Sequence, residues 1–164
     1  MGSDDGCQAA QIIENAKISG VMIATAESCT GGMIAAALTD IPGASAVVER
    51  GFVTYTNAAK VQMLGVSEAT LSAHGAVSEE VAQEMATGAL THSGAQLAVS
   101  VTGIAGPGGS EFKPEGRVCF GLATKHGVRT ETVEFGAPGR SRVRQAACDH
   151  ALALLLKALQ SPIT

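Results

Sequence analysis

The chain has no tryptophan and one tyrosine, and aromatic residues make up 3% of its 164 positions. A surface that stacks nucleic-acid bases on aromatic rings is therefore not expected. Positive charge is also scarce: 11 Lys and Arg stand against 15 Asp and Glu, a net charge of −4 with no long basic run. Binding a phosphate backbone needs clustered cations, so duplex or RNA partners are disfavoured, although a local basic pocket stays open. The four cysteines (Cys7, Cys29, Cys119, Cys148) are widely scattered and form no C-x-x-C pair. Reduced thiols are expected rather than a thiolate zinc site. The four histidines (His74, His92, His126, His150) make no H-x-x-x-H pair, so no metal is expected. The apolar patch Ala151–Leu156 is far shorter than the roughly 20 residues that span a bilayer. The polar, acidic start Met1–Gly6 does not read as a secretory signal, and Gly6 departs from the myristoylation pattern. A cytoplasmic protein with no membrane contact is the expectation.

What is present is small and apolar. Hydrophobic residues make up 46% of the chain, which is rich in Ala and Gly. That length suits one domain over 1–164, with an ordered core at about 8–160. Periodicity predicts helices at 8–19, 32–39, 57–64, 67–73, 78–91 and 140–159. Strands are predicted at 21–26, 46–54, 96–102, 117–125 and 128–135, with Gly51 as a bulge and His126-Gly127 joining a hairpin. Asn57, Ser67 and Ser78 are the expected helix caps. Helices that flank both early and late strands imply an α/β/α layered sandwich, and the terminal hairpin makes its mostly parallel sheet mixed.

The strongest chemical signal is V-M-I-A-T-A-E-S-C-T-G-G, residues 21–32. An apolar run stops at Glu27-Ser28-Cys29-Thr30, Gly31 and Gly32 follow, and Met33 opens a helical run. This order puts hydroxyls and N–H groups at a helix N-terminus, which favours an anion or a developing oxyanion. Ser28 stands where a nucleophile or a phosphate ligand would stand; the plainer reading is an N-cap. The glycines let a ligand approach the backbone closely. Cys29 is a rival nucleophile, but its side chain is expected to point away from Ser28 and pack.

A second strand end, Ser100-Val101-Thr102-Gly103, opens into the glycines of residues 103–116. Two such loops at the carboxyl ends of neighbouring parallel strands make a crevice for a ligand. No P-loop and no strict G-x-G-x-x-G occurs, so ATP or dinucleotide binding lacks motif support. Lys60 falls in the first turn of a short helix among apolar neighbours, close to the only tyrosine, Tyr55. It is either a solvated surface cation or, in an apolar pocket, a general base. Arg140, Arg142 and Arg144 put three cations in one short segment, with Arg140 and Arg144 on one helix face. They read as an exposed helix start or as guanidinium groups for a phosphate or carboxylate.

Thr25–Gly32, Arg50–Tyr55, Lys60, His74–Ser78, Thr102–Pro107 and Lys113–Gly116 resemble, in order and spacing, the signature of the CinA C-terminal domain family. The resemblance covers nearly all of residues 8–157. It implies a three-layer α/β/α fold and a nicotinamide-nucleotide amidase that releases ammonia from nicotinamide mononucleotide with no metal or other cofactor. Carried over, Ser28 is the nucleophile, Lys60 its general base and Ser45 a hydroxyl that relays the proton. Tyr55 and Thr102 become pocket residues and Arg144 the phosphate ligand. Amides of Ser28–Gly32 or of Gly103–Gly106 would stabilise the oxyanion. One departure concerns Ala137-Pro138-Gly139-Arg140, where members often read Gly-Asp-Arg; it leaves the part played by Arg140 open. Many members also carry a larger N-terminal domain.

The partner implied is a pyridine mononucleotide, and an edge strand in the hairpin suggests a homo-oligomer, with a dimer as the simplest case. The competing reading is a catalytically silent nucleotide-binding module in which Lys60 stays charged. A protein-binding scaffold is less supported, because no aromatic patch accompanies the glycine-rich loops.

Overall fold

The computed structural model describes residues 2–163. Met1, first residue of the polar start, and Thr164 lie outside the described residues. The chain runs α1 (Gly2–Ser19), β1 (Ile23–Glu27), α2 (Met33–Thr39), a 3-10 turn (Ala44–Ala46) and β2 (Val48–Val53). Three helices follow, α3 (Asn57–Leu64), α4 (Glu68–His74) and α5 (Glu79–Thr91). Then come β3 (Leu97–Gly103), β4 (Arg117–Thr124), β5 (Gly127–Glu134) and α6 (Arg140–Leu159). All the expected elements are present, with the first helix starting earlier, at Gly2.

The strands form one sheet in the order β2-β1-β3-β4-β5. β1 pairs in parallel with both β2 and β3, whereas β3–β4 and β4–β5 are antiparallel. Only β4 therefore opposes the others, and the sheet is mixed but mostly one-directional. Alternation along β1 sends Ile23 into a core shared with α1, α2 and α6, and Ala24 and Ala26 into a second core under α3 and α5. Helices thus cover both faces, giving the three-layer sandwich.

Small residues set the spacing. A methyl group on Gly88 of α5 would stand 2.0 Å from the Leu64 carbonyl oxygen, so α3 and α5 touch almost backbone to backbone. That contact fixes the depth of α3, the helix that carries Lys60. Gly51 is not a bulge: the register shift falls where Ile23 and Ala24 pair with Val48 and Arg50. Its place is steric, since a Cβ there would meet Thr25 Oγ1 at 2.7 Å and the Ala35 methyl of α2 at 3.5 Å. The cap of α3 also differs from expectation. Thr56 accepts the Ala59 amide at 3.0 Å, one residue before Asn57.

The chain leaves β1 toward β2 on one side and leaves β3 toward β4 on the other. Their carboxyl ends therefore border a topological switch point, the position where ligands bind in open α/β sheets. No helix among the described residues is long and apolar enough to cross a membrane.

Candidate active site

Ser28, the residue after β1, continues the alternation of Ala24 and Ala26 and faces the α3 side. Strand register brings the residue after β2, Thr54, to one side of it and Thr102 to the other. Lys60 reaches this row from the first turn of α3. Its Nζ lies 3.1 Å from Ser28 Oγ, 3.1 Å from the Thr54 carbonyl oxygen and 3.3 Å from that of Tyr55. Lys60 is only 1% exposed, and no carboxylate pairs with it among the described residues. Burial holds its pKa below the ordinary lysine value, opposed only by the nearby Cys29 thiol. Nζ is the donor to all three oxygens.

Cys29 points the other way, into the core of α1, α2 and α6. Desolvation pushes its thiol up to about 11, so it is not an activated nucleophile.

Glu27 is fully buried under the turn. Its Oε1 accepts from the Thr30 hydroxyl at 2.6 Å, the Gly32 amide at 3.2 Å and the Ile34 amide at 3.0 Å. Its Oε2 accepts from the Ala35 amide at 3.0 Å. Gly32, the N-cap of α2, has no side chain, so this carboxylate does the capping from inside the protein. Gly31 donates its amide to the Ser28 carbonyl. The Cys29 amide is directed at its own Sγ, and Thr30 is fully buried beneath the cleft floor.

The cleft above Ser28 holds about 330 Å³. Tyr55 and Asn57 line one side, Thr102 to Ser110 the other, and Arg140 closes one end. The Arg140 guanidinium spans the rims, donating to the Gly106 carbonyl at 2.7 Å and the Tyr55 hydroxyl at 2.8 Å. Thr102 is buried and donates to the Ala76 carbonyl at 2.8 Å. A hollow of about 440 Å³ between β5 and the end of α6 contains none of the candidate residues.

Ser28, Lys60, Tyr55, Thr102, Gly103 and Arg140 are thus brought together. Thr30, Gly31 and Gly32 are not part of the lining: the Thr30 side chain and the Gly32 amide turn inward to Glu27. Arg144 also lies outside the lining, its Nε donating to the Cys29 carbonyl at 2.9 Å and an Nη to that of Thr30 at 3.3 Å. Ser45 is corrected most sharply. It sits exposed in the turn that precedes β2, at the amino ends of the strands. Ser28 lies at their carboxyl ends, roughly 20 Å of extended chain away at about 3.3 Å per residue. Within one chain the structure does not bring Ser45 to Ser28. The expectation missed Glu27 and Asn57; the missing cap residue before α2 was the available signal for Glu27.

Comparisons with known proteins identify the family. A profile of the CinA C-terminal domain matches residues 7–159. The chain belongs to the CinA C-terminal domain family. A nicotinamide-nucleotide amidohydrolase of Escherichia coli K12, PncC, is 53% identical over 146 residues, covering 88% of each chain. A CinA-like protein of Chlorobium phaeobacteroides is 56% identical over 147 residues, 87% of this chain but 35% of that protein. This chain thus spans about a third of that longer relative. The crystal structure of the competence/damage inducible protein CihA from Agrobacterium tumefaciens superposes with a TM-score of 0.92 at 51% identity, covering 96% of both chains.

Proposed function

We propose that this chain hydrolyses the carboxamide of nicotinamide mononucleotide to nicotinate mononucleotide and ammonia, with Ser28 as nucleophile and Lys60 as general base. The observation that carries the mechanism is the buried Lys60 Nζ, 3.1 Å from Ser28 Oγ with two carbonyls as its other partners. The substrate rests on the similarity to the Escherichia coli amidohydrolase.

The Ser28 proton passes to the Lys60 lone pair as Oγ attacks the carboxamide carbon. A pyridinium ring makes that carbon electron-poor. Backbone amides of the glycine-rich Gly103–Gly106 segment that lines the cleft meet the developing oxyanion, and one such donor is typically worth about 3–4 kcal/mol of barrier. Lys60 then returns the proton to the leaving nitrogen, the C–N bond breaks, and ammonia departs. Water, deprotonated by the same amine, cleaves the acyl-serine and restores both residues. These steps draw on side chains and backbone alone.

Arg140 is the better phosphate ligand, because its guanidinium lies exposed on the cleft rim. In the unliganded chain it makes two contacts that a phosphate would replace, Gly106 O and Tyr55 Oη. Arg144 is instead engaged with the turn.

The test is ammonia release from nicotinamide mononucleotide, with chelator present. We expect turnover by the natural chain and a loss of roughly 10³-fold or more in Ser28→Ala, with thermal stability kept. Binding without turnover would favour the silent module, and neither would reject the substrate.

A further inference from the structure

The turn that follows β1 is gripped from two sides. From below, the Glu27 carboxylate takes four donors: the Thr30 hydroxyl and the amides of Gly32, Ile34 and Ala35. From the α6 side, Arg144 takes the carbonyls of Cys29 and Thr30. We propose that Glu27 and Arg144 are positioning residues for the hydrolysis, a clamp that fixes the turn immediately after Ser28 and so the place of its Oγ beside Lys60 Nζ. This rests on the amidase reading given above.

Peptide geometry supplies the argument. Across a trans peptide the C=O and the following N–H point in opposite directions. The Cys29 carbonyl is drawn toward Arg144, so the Thr30 N–H of that same peptide unit is turned away from α6. The Ser28 carbonyl is held by the Gly31 amide, which fixes the plane that contains the Cys29 N–H. Glu27 does the complementary task. By absorbing the donors at the head of α2 it ties the turn to the buried end of β1. Burial makes the clamp stiff: Glu27 and Thr30 are both 0% exposed. The assignment also moves Arg144 from substrate to scaffold. A methyl placed on Gly31 would meet its Nη at 3.3 Å, so the guanidinium lies close against the turn.

A clamp on the turn that follows the nucleophile is felt in the chemical step and not in ground-state binding. A phosphate ligand acts in both. The experiment therefore measures kcat on nicotinamide mononucleotide, and the Kd of the product nicotinate mononucleotide, for the natural chain, Glu27→Gln and Arg144→Met. Gln keeps the shape but turns an NH₂ toward one of the four donors. We expect kcat to fall roughly 10- to 100-fold in both variants, with product Kd within about twofold. If Glu27→Gln does not fold, Arg144→Met decides alone. Unchanged kcat in the folded variants would overturn the clamp, as would a loss of product affinity equal to or larger than the loss of kcat. Failure of the natural chain to release ammonia would instead reject the amidase reading on which the clamp rests.

Discussion

The loops that follow β1 and β3 leave adjacent parallel strands at the same end of the sheet, yet they are held in opposite ways. The first spans residues 28–32 and is fixed inward, on a buried carboxylate and an arginine. The second spans residues 104–116 and is held from outside by long side chains rather than from within the protein. There Lys113 donates to the His74 and Val77 carbonyls at 2.5 Å each, and Glu115 accepts the Gly108 amide at 2.7 Å. Its tip, Glu111-Phe112, takes left-handed backbone at φ 53° and 64°, with the Phe112 ring wholly exposed. Reaction geometry tolerates displacements of a fraction of an ångström, so it belongs on the clamped loop. Shape recognition belongs on the loop built of glycine. Substitutions in the two loops should accordingly separate chemistry from binding.

The largest effect on the chemical side is expected at Lys60. Lys60→Met should lower kcat by roughly 10³-fold, within the range removed with a general base. The natural chain should gain activity as pH rises through the lowered Lys60 pKa, and Lys60→Met should lose that basic limb. Stability follows the same group. Its folded pKa lies below the unfolded 10.5, so between the two the unfolded chain binds more protons and stability rises with pH. As pH falls through the folded pKa, the cost of a buried ammonium appears in full. Unfolding of both proteins between pH 7 and 10 should show the natural chain gaining on Lys60→Met as pH rises.

Gly103→Ala probes where the two loops meet. The added methyl would stand 2.7 Å from Val118 Cγ2 and 3.1 Å from Cys29 Sγ, pushing the second loop against the first. Overpacking of this kind costs about 1–3 kcal/mol. We expect a lowered Tm and roughly tenfold lower kcat. Gly51→Ala is the control, equally crowded but against Thr25 Oγ1, away from the cleft. It should lose stability with kcat retained. Equal loss of kcat in both would show that the clamped turn responds to any strain in the sheet.

Lys113→Met acts on the second loop alone. It removes both contacts to the α4–α5 connection, and we expect KM to rise several-fold with kcat within about twofold. A fall in kcat with unchanged KM would mean that this loop, too, takes part in the chemistry.

The two loops also differ in how far their structure is legible in the sequence. Strand, turn and helix around Ser28 follow from an apolar run, a polar break and two glycines, all local signals. The fold follows for the same reason, because each strand and helix carries its own periodicity. The Lys60–Ser28 contact is a different matter. Position 60 reads as surface or as pocket until α3 is seen pressed against α5 at Gly88, a long-range fact. The role of Ser45 came from the family resemblance alone; preceding β2 in a parallel pair, it lies at the amino ends of the strands, opposite Ser28. Arg144 shares a helix face with Arg140, as i, i+4 spacing requires, but one turn of helix separates a rim from a backbone clamp. Glu27 was hidden because a strand residue caps a helix that starts six positions later.

The smallest expected effect isolates what a hydrogen bond adds to the clamped turn. Thr25 and Thr30 are both fully buried, one in β1 and one just beyond it. The Thr30 hydroxyl donates to Glu27 at 2.6 Å, whereas Thr25 Oγ1 has no partner among the described residues. Valine matches threonine in shape and removes only the hydroxyl. Thr30→Val strips a donor from a buried carboxylate and should cost about 1–3 kcal/mol. Thr25→Val removes a hydroxyl that is desolvated without compensation, so stability should stay level or rise by about 1 kcal/mol. Urea unfolding of the two variants beside the natural chain makes the comparison. A loss in Thr25→Val as large as that in Thr30→Val would mean that the Thr25 hydroxyl is satisfied in solution, and that the turn is no better bonded than the strand leading into it.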